Sequence, residues 1–186
     1  MGLFQFWKPK EVAQTGPVTT GQPAVASAQP SEVENTLSST AVLSAQPDPF
    51  TAHVVQIAEQ FVLDIQSHSQ FDFSVESLTL VDELLRKAAE LPENPTLIKN
   101  LTNCVGCYIF EVARRNYGGL YYWYSPYNQP VLVTGQPDFE ASILAFEKVK
   151  ERLQGEYAHD ISFFFQRFVH AVERGRNEPG YRMMVL

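Results

Sequence analysis

Two cysteines, Cys104 and Cys107, form a C-x-x-C pair, a spacing used by redox thiols and by zinc sites. Redox pairs of this kind lower a thiol pKa by lying at a helix N-terminus, but the apolar periodicity around this pair places both cysteines well inside a helix. A structural zinc site needs two further ligands, and the four histidines show no second paired motif. We therefore expect two small buried side chains, no metal and no cofactor, with a redox or metal role as the alternative.

A carboxylate follows on the same helix, because Glu111 stands three residues before Arg114 and four before Arg115. The order of acid before base at a spacing of four favours an ordinary ion pair on the helix surface. The alternative turns Glu111 into a pocket roofed by aromatic residues, where apolar surroundings would raise the pKa of its carboxyl. No nucleophile or base is spaced to work with Glu111, so we assign no catalytic residue.

The densest aromatic cluster begins just after this helix. Its members are Tyr117, Tyr121, Tyr122, Trp123, Tyr124 and Tyr127. In a strand from Leu120 to Tyr124, alternation directs Tyr121 and Trp123 to one side and Tyr122 and Tyr124 to the other. One pair should be core and the other exposed, and exposed Tyr and Trp favour protein interfaces. Core packing alone is the alternative. The predicted binding residues are Glu111, Arg115, Tyr121, Tyr122, Trp123 and Tyr124.

A second aromatic group lies in the first ten residues, MGLFQFWKPK. We interpret Phe4, Phe6 and Trp7 as a docking peptide, with a frayed terminus as the simpler alternative. A weak membrane-surface contact, with the aromatics inserted and the two lysines outside, is a third interpretation. Residues 11–47 are rich in Pro, Gln, Thr and Ala and poor in charge, a composition typical of a disordered linker. The predicted organisation is therefore a tethered aromatic tip.

The remaining chain must position these groups, and its apolar periodicity predicts one globular domain over residues 48–175 with a C-terminal tail over 176–186. The predicted helices run from about Pro49 to Ser69, Ser74 to Leu91, Pro95 to Arg115, Asp138 to Gly155 and Tyr157 to Arg174. Two short strands, Leu120 to Tyr124 and Val131 to Thr134, lie around a Pro- and Asn-containing turn. The predicted fold class is α+β, mostly α, with about five helices and one β-hairpin inserted after the third. Gly106, in the middle of the third helix, predicts close approach of a neighbouring element.

The overall composition limits the function classes. A net charge of -7 and a pI near 5.1 argue against sequence-independent nucleic-acid binding, which depends on Lys and Arg at phosphates. No apolar run approaches the roughly 20 residues that span a bilayer. We expect a cytoplasmic protein without a transmembrane segment. No phosphate loop, dinucleotide fingerprint or hydrolase motif occurs, which favours a non-enzymatic protein.

The segment from Gly106 to Val112, followed by Gly118-Gly119 and Trp123, resembles a signature of uncharacterised bacterial domains. That signature reads G-x-Y-x-G-E-V, then Gly-Gly and a Trp, and the similarity extends from about Phe71 to Phe168. Phe110 stands where the signature has its second Gly. The resemblance implies a bacterial source and a shared fold, and it brings no catalytic residues.

Together these patterns favour a non-catalytic bacterial interaction protein, either an adaptor or an immunity-type protein. It would contact an unidentified protein partner through the aromatic hairpin and the tethered peptide. The alternative is a small-ligand binder or enzyme with a pocket around Glu111 and the Tyr/Trp cluster.

Overall fold

The structure is a computed structural model that describes residues 48–65, 70–155 and 160–186. The predicted docking peptide, with Phe4, Phe6 and Trp7, and the predicted linker over 11–47 lie outside the described residues. The elements in chain order are α1 (Pro49–Asp64), α2 (Leu78–Ala89), α3 (Pro95–Tyr117), β1 (Leu120–Tyr124), β2 (Gln129–Thr134), β3 (Glu140–Ile143), α4 (Ala145–Leu153), α5 (Ile161–Asn177) and β4 (Arg182–Val185). This α+β, mostly helical architecture confirms the predicted fold class.

Helix α3 is the central element of the domain. Its side chains are buried without a break from Val105 to Ala113, because α1, α4 and β2 all pack against it. The helix begins after Asn94, whose side-chain oxygen accepts hydrogen bonds from the first free N–H groups of the helix. It ends at Gly118, which takes the left-handed φ of 75° that favours glycine at this position. The chain then turns directly into β1.

Gly106 lies at a close contact between α3 and α4. A Cβ atom built at this position would collide with the ring of Phe146, in the first turn of α4. Phe110, one turn further along α3, packs against the same ring with centroids 5.7 Å apart. The predicted close approach at Gly106 is therefore confirmed, and the helical cost of this glycine is offset by the contact that it permits.

Within the described ranges, the sheet has four strands in the order β1-β2-β3-β4. Strands β1 and β2 form the predicted hairpin, with Tyr122 opposite Val131. Strand β3 extends the sheet antiparallel to β2, and β4 pairs parallel to β3, with Glu140 opposite Arg182. The sheet is therefore larger than the predicted hairpin.

The second helix, predicted from Ser74, begins at Leu78, because the hydroxyl of Ser74 accepts from the N–H of Ser77 in a turn that precedes the helix. Two further predicted segments differ in their secondary structure. Residues 140–143, expected in the fourth helix, form β3, and α4 begins only at Ala145. Because Ala141, Ser142 and Ile143 are all buried, this strand lacks the alternation that marks a half-exposed strand. Residues 176–186, expected as a tail, contain β4, and α5 continues to Asn177. Short strands of this kind are stabilised by pairing with strands that are distant in sequence, and local periodicity does not reveal such pairing.

Within the ranges that the structure covers, no helix combines the length and apolar character needed to cross a bilayer.

Candidate functional site

Glu111 lies at the centre of a buried polar cluster, with its side chain fully inaccessible to solvent. Arg114 binds its carboxylate through two atoms, with Nε 2.6 Å from Oε1 and Nη2 2.9 Å from Oε2. Arg115 donates from Nε to Oε2 at 3.0 Å, and the hydroxyl of Tyr121 donates to Oε1 at 2.9 Å. Arg115 also reaches α1, where its Nη2 lies 3.0 Å from Glu59. We call these five residues the Glu111 cluster.

The electrostatics of the cluster follow from these contacts. Burial alone raises the pKa of Glu111, but hydrogen bonds from Arg114, Arg115 and Tyr121 outweigh it and hold the pKa below its ordinary value. The alternative prediction, that an apolar pocket raises the pKa of Glu111, is therefore wrong. Burial, together with the adjacent Glu111 carboxylate, raises the pKa of Tyr121, so its hydroxyl stays protonated and donates.

The Glu111 cluster joins three elements of the fold. Glu111 and the two arginines belong to α3, Tyr121 to β1 and Glu59 to α1. The guanidinium of Arg115 also lies 3.6 Å from the ring centre of Phe73. Because protein donors already occupy both carboxylate oxygens, the cluster differs from a surface ion pair and also from an open ligand pocket. Its chemistry is that of a structural crosslink.

Sequence spacing located Glu111 and its arginines, and the pocket alternative placed Tyr121, Tyr122 and Trp123 over Glu111. It gave no signal for Glu59, and it did not predict that the hydroxyl of Tyr121 donates to the carboxylate. Tyr121 lies ten residues beyond Glu111, and Glu59 precedes Arg115 by 56 residues. Both contacts depend on how β1 and α1 pack against α3, which no local pattern encodes.

The aromatic cluster divides into buried and exposed members. Tyr121 is buried, whereas Tyr122 is 43% exposed and Trp123 is 39% exposed. The expectation of one core pair and one exposed pair therefore holds for Tyr121 and Tyr122 but not for Trp123. Phe50, in the first turn of α1, packs edge-on against both Tyr121 and Trp123, at centroid distances of 6.4 and 6.1 Å. This contact leaves part of the Trp123 ring at the surface.

The exposed aromatics lie on a border strand of the sheet, because among the described residues β1 has only β2 as a neighbouring strand. Beyond the strand, Tyr127 stacks on the half-buried Tyr124 with a centroid distance of 5.9 Å. We call β1 together with Tyr127 the β1 edge. No charged residue occurs from Asn116 to Pro137, so the whole edge is uncharged.

The cysteines show the geometry of core side chains. Cys107 is buried and Cys104 is half-buried on α3, and burial raises the pKa of both thiols. A raised pKa disfavours the thiolate that redox chemistry and metal binding require. In the described ranges, no three His, Cys, Asp or Glu side chains lie close enough together to hold a metal ion.

An open polar groove of about 390 Å³ lies beside α2 and the start of α5. Asp82, one of its lining residues, accepts a hydrogen bond at 2.7 Å from the buried guanidinium of Arg152 and another at 3.1 Å from the backbone of Ile161. The groove is therefore lined by a carboxylate already used to hold α2, α4 and α5 together, and it lies apart from all the predicted binding residues.

Neither models of protein families, nor curated protein sequences, nor solved structures match this chain.

Proposed function

We propose that this chain is a non-catalytic bacterial interaction protein, an adaptor or an immunity-type protein of the cytoplasm, and that the β1 edge is its principal contact surface. The observation that supports the proposal best is an uncharged strand at the sheet border whose Leu120, Tyr122 and Trp123 side chains are all exposed.

Border strands are normally protected, because their free N–H and C=O groups can pair with any other chain. The usual devices are charged side chains, above all Lys, or a proline on the strand. Strand β1 reads LYYWY and carries neither. Tyr and Trp contribute a large contact area for the loss of only two side-chain torsions, which is why they dominate protein interfaces. An aromatic border strand that carries neither device is thus best explained by a protein that covers it.

The N-terminal tip supplies a second contact in this proposal. Phe4, Phe6 and Trp7 precede the domain by a stretch whose composition is that of a flexible tether. A tethered second contact raises the apparent affinity through effective concentration, without any improvement of the first contact. We propose that the tip and the β1 edge engage the same protein partner, and that the partner is neither nucleic acid nor a membrane.

The Glu111 pocket receives less support as a function. A ligand there would have to displace Arg114, Arg115 or Tyr121 from a carboxylate that they already satisfy. Separating a buried charge from its partners costs several kcal/mol, which a small ligand would have to supply.

Site-specific photo-crosslinking in cells of the source organism tests the proposal. Full-length protein with p-benzoylphenylalanine in place of Tyr122 should form an adduct with a different protein. The same group in place of Phe163, an aromatic residue of α5 that is also exposed, is the matched control and should not. Combined substitution of Phe4, Phe6 and Trp7 by Ser should weaken the Tyr122 adduct. Identical adducts from both positions, or none from Tyr122, would contradict the proposal.

A further inference from the structure

We propose that the β1 edge binds the β1 edge of a second copy of this chain, in an antiparallel pairing about a two-fold axis at Tyr122. The pairing joins two four-stranded sheets into one of eight strands. The inference rests on the proposed role of the β1 edge as a contact surface, and it names one partner of that surface.

The backbone of β1 suits such a pairing. In an antiparallel strand, alternate residues direct both their N–H and C=O groups to the same side. In the part of the chain that the structure describes, β2 pairs with one side of β1, so the other residues of β1 direct both groups away from β2. No proline interrupts the strand, so each of its five residues retains its donor. A second β1 can therefore continue the ladder.

The side chains of β1 are nearly symmetric about its central residue, Tyr122. An antiparallel copy centred there places Tyr122 opposite Tyr122, Tyr121 opposite Trp123, and Leu120 opposite Tyr124. Every cross-strand pair is then aromatic with aromatic or aromatic with leucine, the combinations that stabilise antiparallel sheets. A two-fold interface requires the same surface to complement itself, and this strand meets that requirement.

Charge also favours a second copy at this place. The chain carries a net charge of -7, so two copies repel each other over most approaches. The run from Asn116 to Pro137 is the longest in the sequence without a charged residue, and β1 lies inside it. Two identical acidic molecules can meet there without bringing charged side chains of the strand together.

The small area of the proposed contact indicates a weak dimer. Stable interfaces bury about 1,200–2,000 Å² in total, and a strand of five residues from each copy supplies less. We therefore expect a reversible dimer with a Kd in the micromolar range, not a permanent one.

Analytical ultracentrifugation of the purified full-length chain, from about 1 µM to about 1 mM, measures this equilibrium. Wild-type protein should pass from monomer to dimer across the series. Tyr122→Lys places two like charges opposite each other and should raise the Kd by at least about tenfold. Phe163→Lys makes the same chemical change at an exposed aromatic residue of α5 and should leave the Kd unchanged. Far-UV circular dichroism confirms that both variants are folded.

Cysteine crosslinking tests the register. Tyr122→Cys alone should form an intermolecular disulfide, because it faces itself across the axis. Leu120→Cys and Tyr124→Cys should form one only when the two variants are mixed. Crosslinking of Leu120→Cys with itself would refute the proposed register.

Two results of ultracentrifugation would overturn the proposal. The first is a monomer at every concentration, and the second is a dimer that Tyr122→Lys leaves intact. If that dimer is instead lost when Phe4, Phe6 and Trp7 are replaced by Ser, the tip is the occupant. A purely monomeric protein that still crosslinks to a different protein through position 122 would refute the dimer and leave the proposed function standing.

Discussion

The Glu111 cluster and the β1 edge are neighbours that differ in charge and in exposure. The cluster is built on the buried carboxylate of Glu111, which is held by four hydrogen bonds from Arg114, Arg115 and Tyr121. The edge is uncharged and exposes Leu120, Tyr122 and Trp123, and within the described residues one side of its backbone has no neighbouring strand. Tyr121 belongs to both, because its ring lies on β1 and its hydroxyl reaches Glu111.

In this protein the charged residues have a structural role and the aromatic residues form a surface, which is the opposite of the usual expectation. Charged residues near a cleft usually suggest chemistry, and aromatic residues usually suggest a core. Here the charged group ties α1, α3 and β1 together, whereas the aromatic strand carries the surface suited to binding. Substitutions in the Glu111 cluster should therefore act on stability, and substitutions in the β1 edge should act on association.

The largest expected effect on stability comes from Glu111→Ala. It leaves two partly buried arginines and the Tyr121 hydroxyl without their acceptor, which should reduce the free energy of unfolding by about 3 kcal/mol. Urea denaturation followed by circular dichroism measures the loss. Glu59→Gln removes the exposed acidic partner of Arg115 and should cost less than about 1 kcal/mol. Equal losses of unfolding free energy in the two variants would mean that the buried contacts of Glu111 stabilise the fold no more than the exposed ion pair of Glu59.

Tyr121→Phe should have the next largest effect. It deletes one hydroxyl that donates to a buried carboxylate, and hydrogen bonds to charged groups contribute about 1.5–3 kcal/mol. Tyr122→Phe is the matched control, because the hydroxyl of Tyr122 donates to Gln136 at the surface, and its loss should cost less than about 0.5 kcal/mol. Thermal unfolding of both variants makes the comparison. A larger loss of stability in Tyr122→Phe than in Tyr121→Phe would contradict the placement of the Tyr121 hydroxyl in the core and of the Tyr122 hydroxyl at the surface.

The pH dependence of stability should also report the Glu111 cluster. The pKa of Glu111 is lower in the folded protein than its ordinary 4.5, so the unfolded state binds more protons in that range. Its stabilising contribution is complete above about pH 4.5 and is lost as the pH falls through the folded-state pKa. The stability difference between wild type and Glu111→Gln should therefore shrink on acidification. A difference that stays constant from pH 7 to pH 3 would contradict the lowered pKa.

The smallest expected change in stability belongs to Trp123→Ser. Part of this ring is exposed, and the variant loses its edge contact with Phe50, so we expect a cost of about 1 kcal/mol. The same variant should lose most of its association in ultracentrifugation. A severe loss of stability together with unchanged association would place Trp123 in the core and remove it from the β1 edge.

Local patterns in the sequence predict most of the helical framework. The apolar stripe of α3 and Gly106 within it indicated a central helix with a close neighbour, and Phe146 is that neighbour. The pattern did not identify β3, because Ala141, Ser142 and Ile143 are all buried and the strand is therefore covered on both faces. It could not identify β4 either, since that strand depends on pairing with β3, some forty positions earlier. In the candidate site, the contacts within α3 were predictable from spacing, and the pocket alternative placed Tyr121 near Glu111. The contact with Glu59 was not predictable, because it depends on how α1 packs against α3.

The register of the sheet has a consequence for the order of folding. The β1–β2 hairpin closes a short loop, with Tyr124 opposite Gln129, whereas β3 meets β4 only after α4 and α5 have been placed. Short loops close at a smaller entropic cost, so we expect the hairpin to form earlier. Strand β3 also meets β2 across a short loop, with Thr134 opposite Ala141, so the late partner is β4. Until β4 joins, β3 presents its outer side, with residues 141–143 uncharged, as a second open border. An open border can pair with another chain, and refolding yield should therefore depend on protein concentration more steeply than native solubility does.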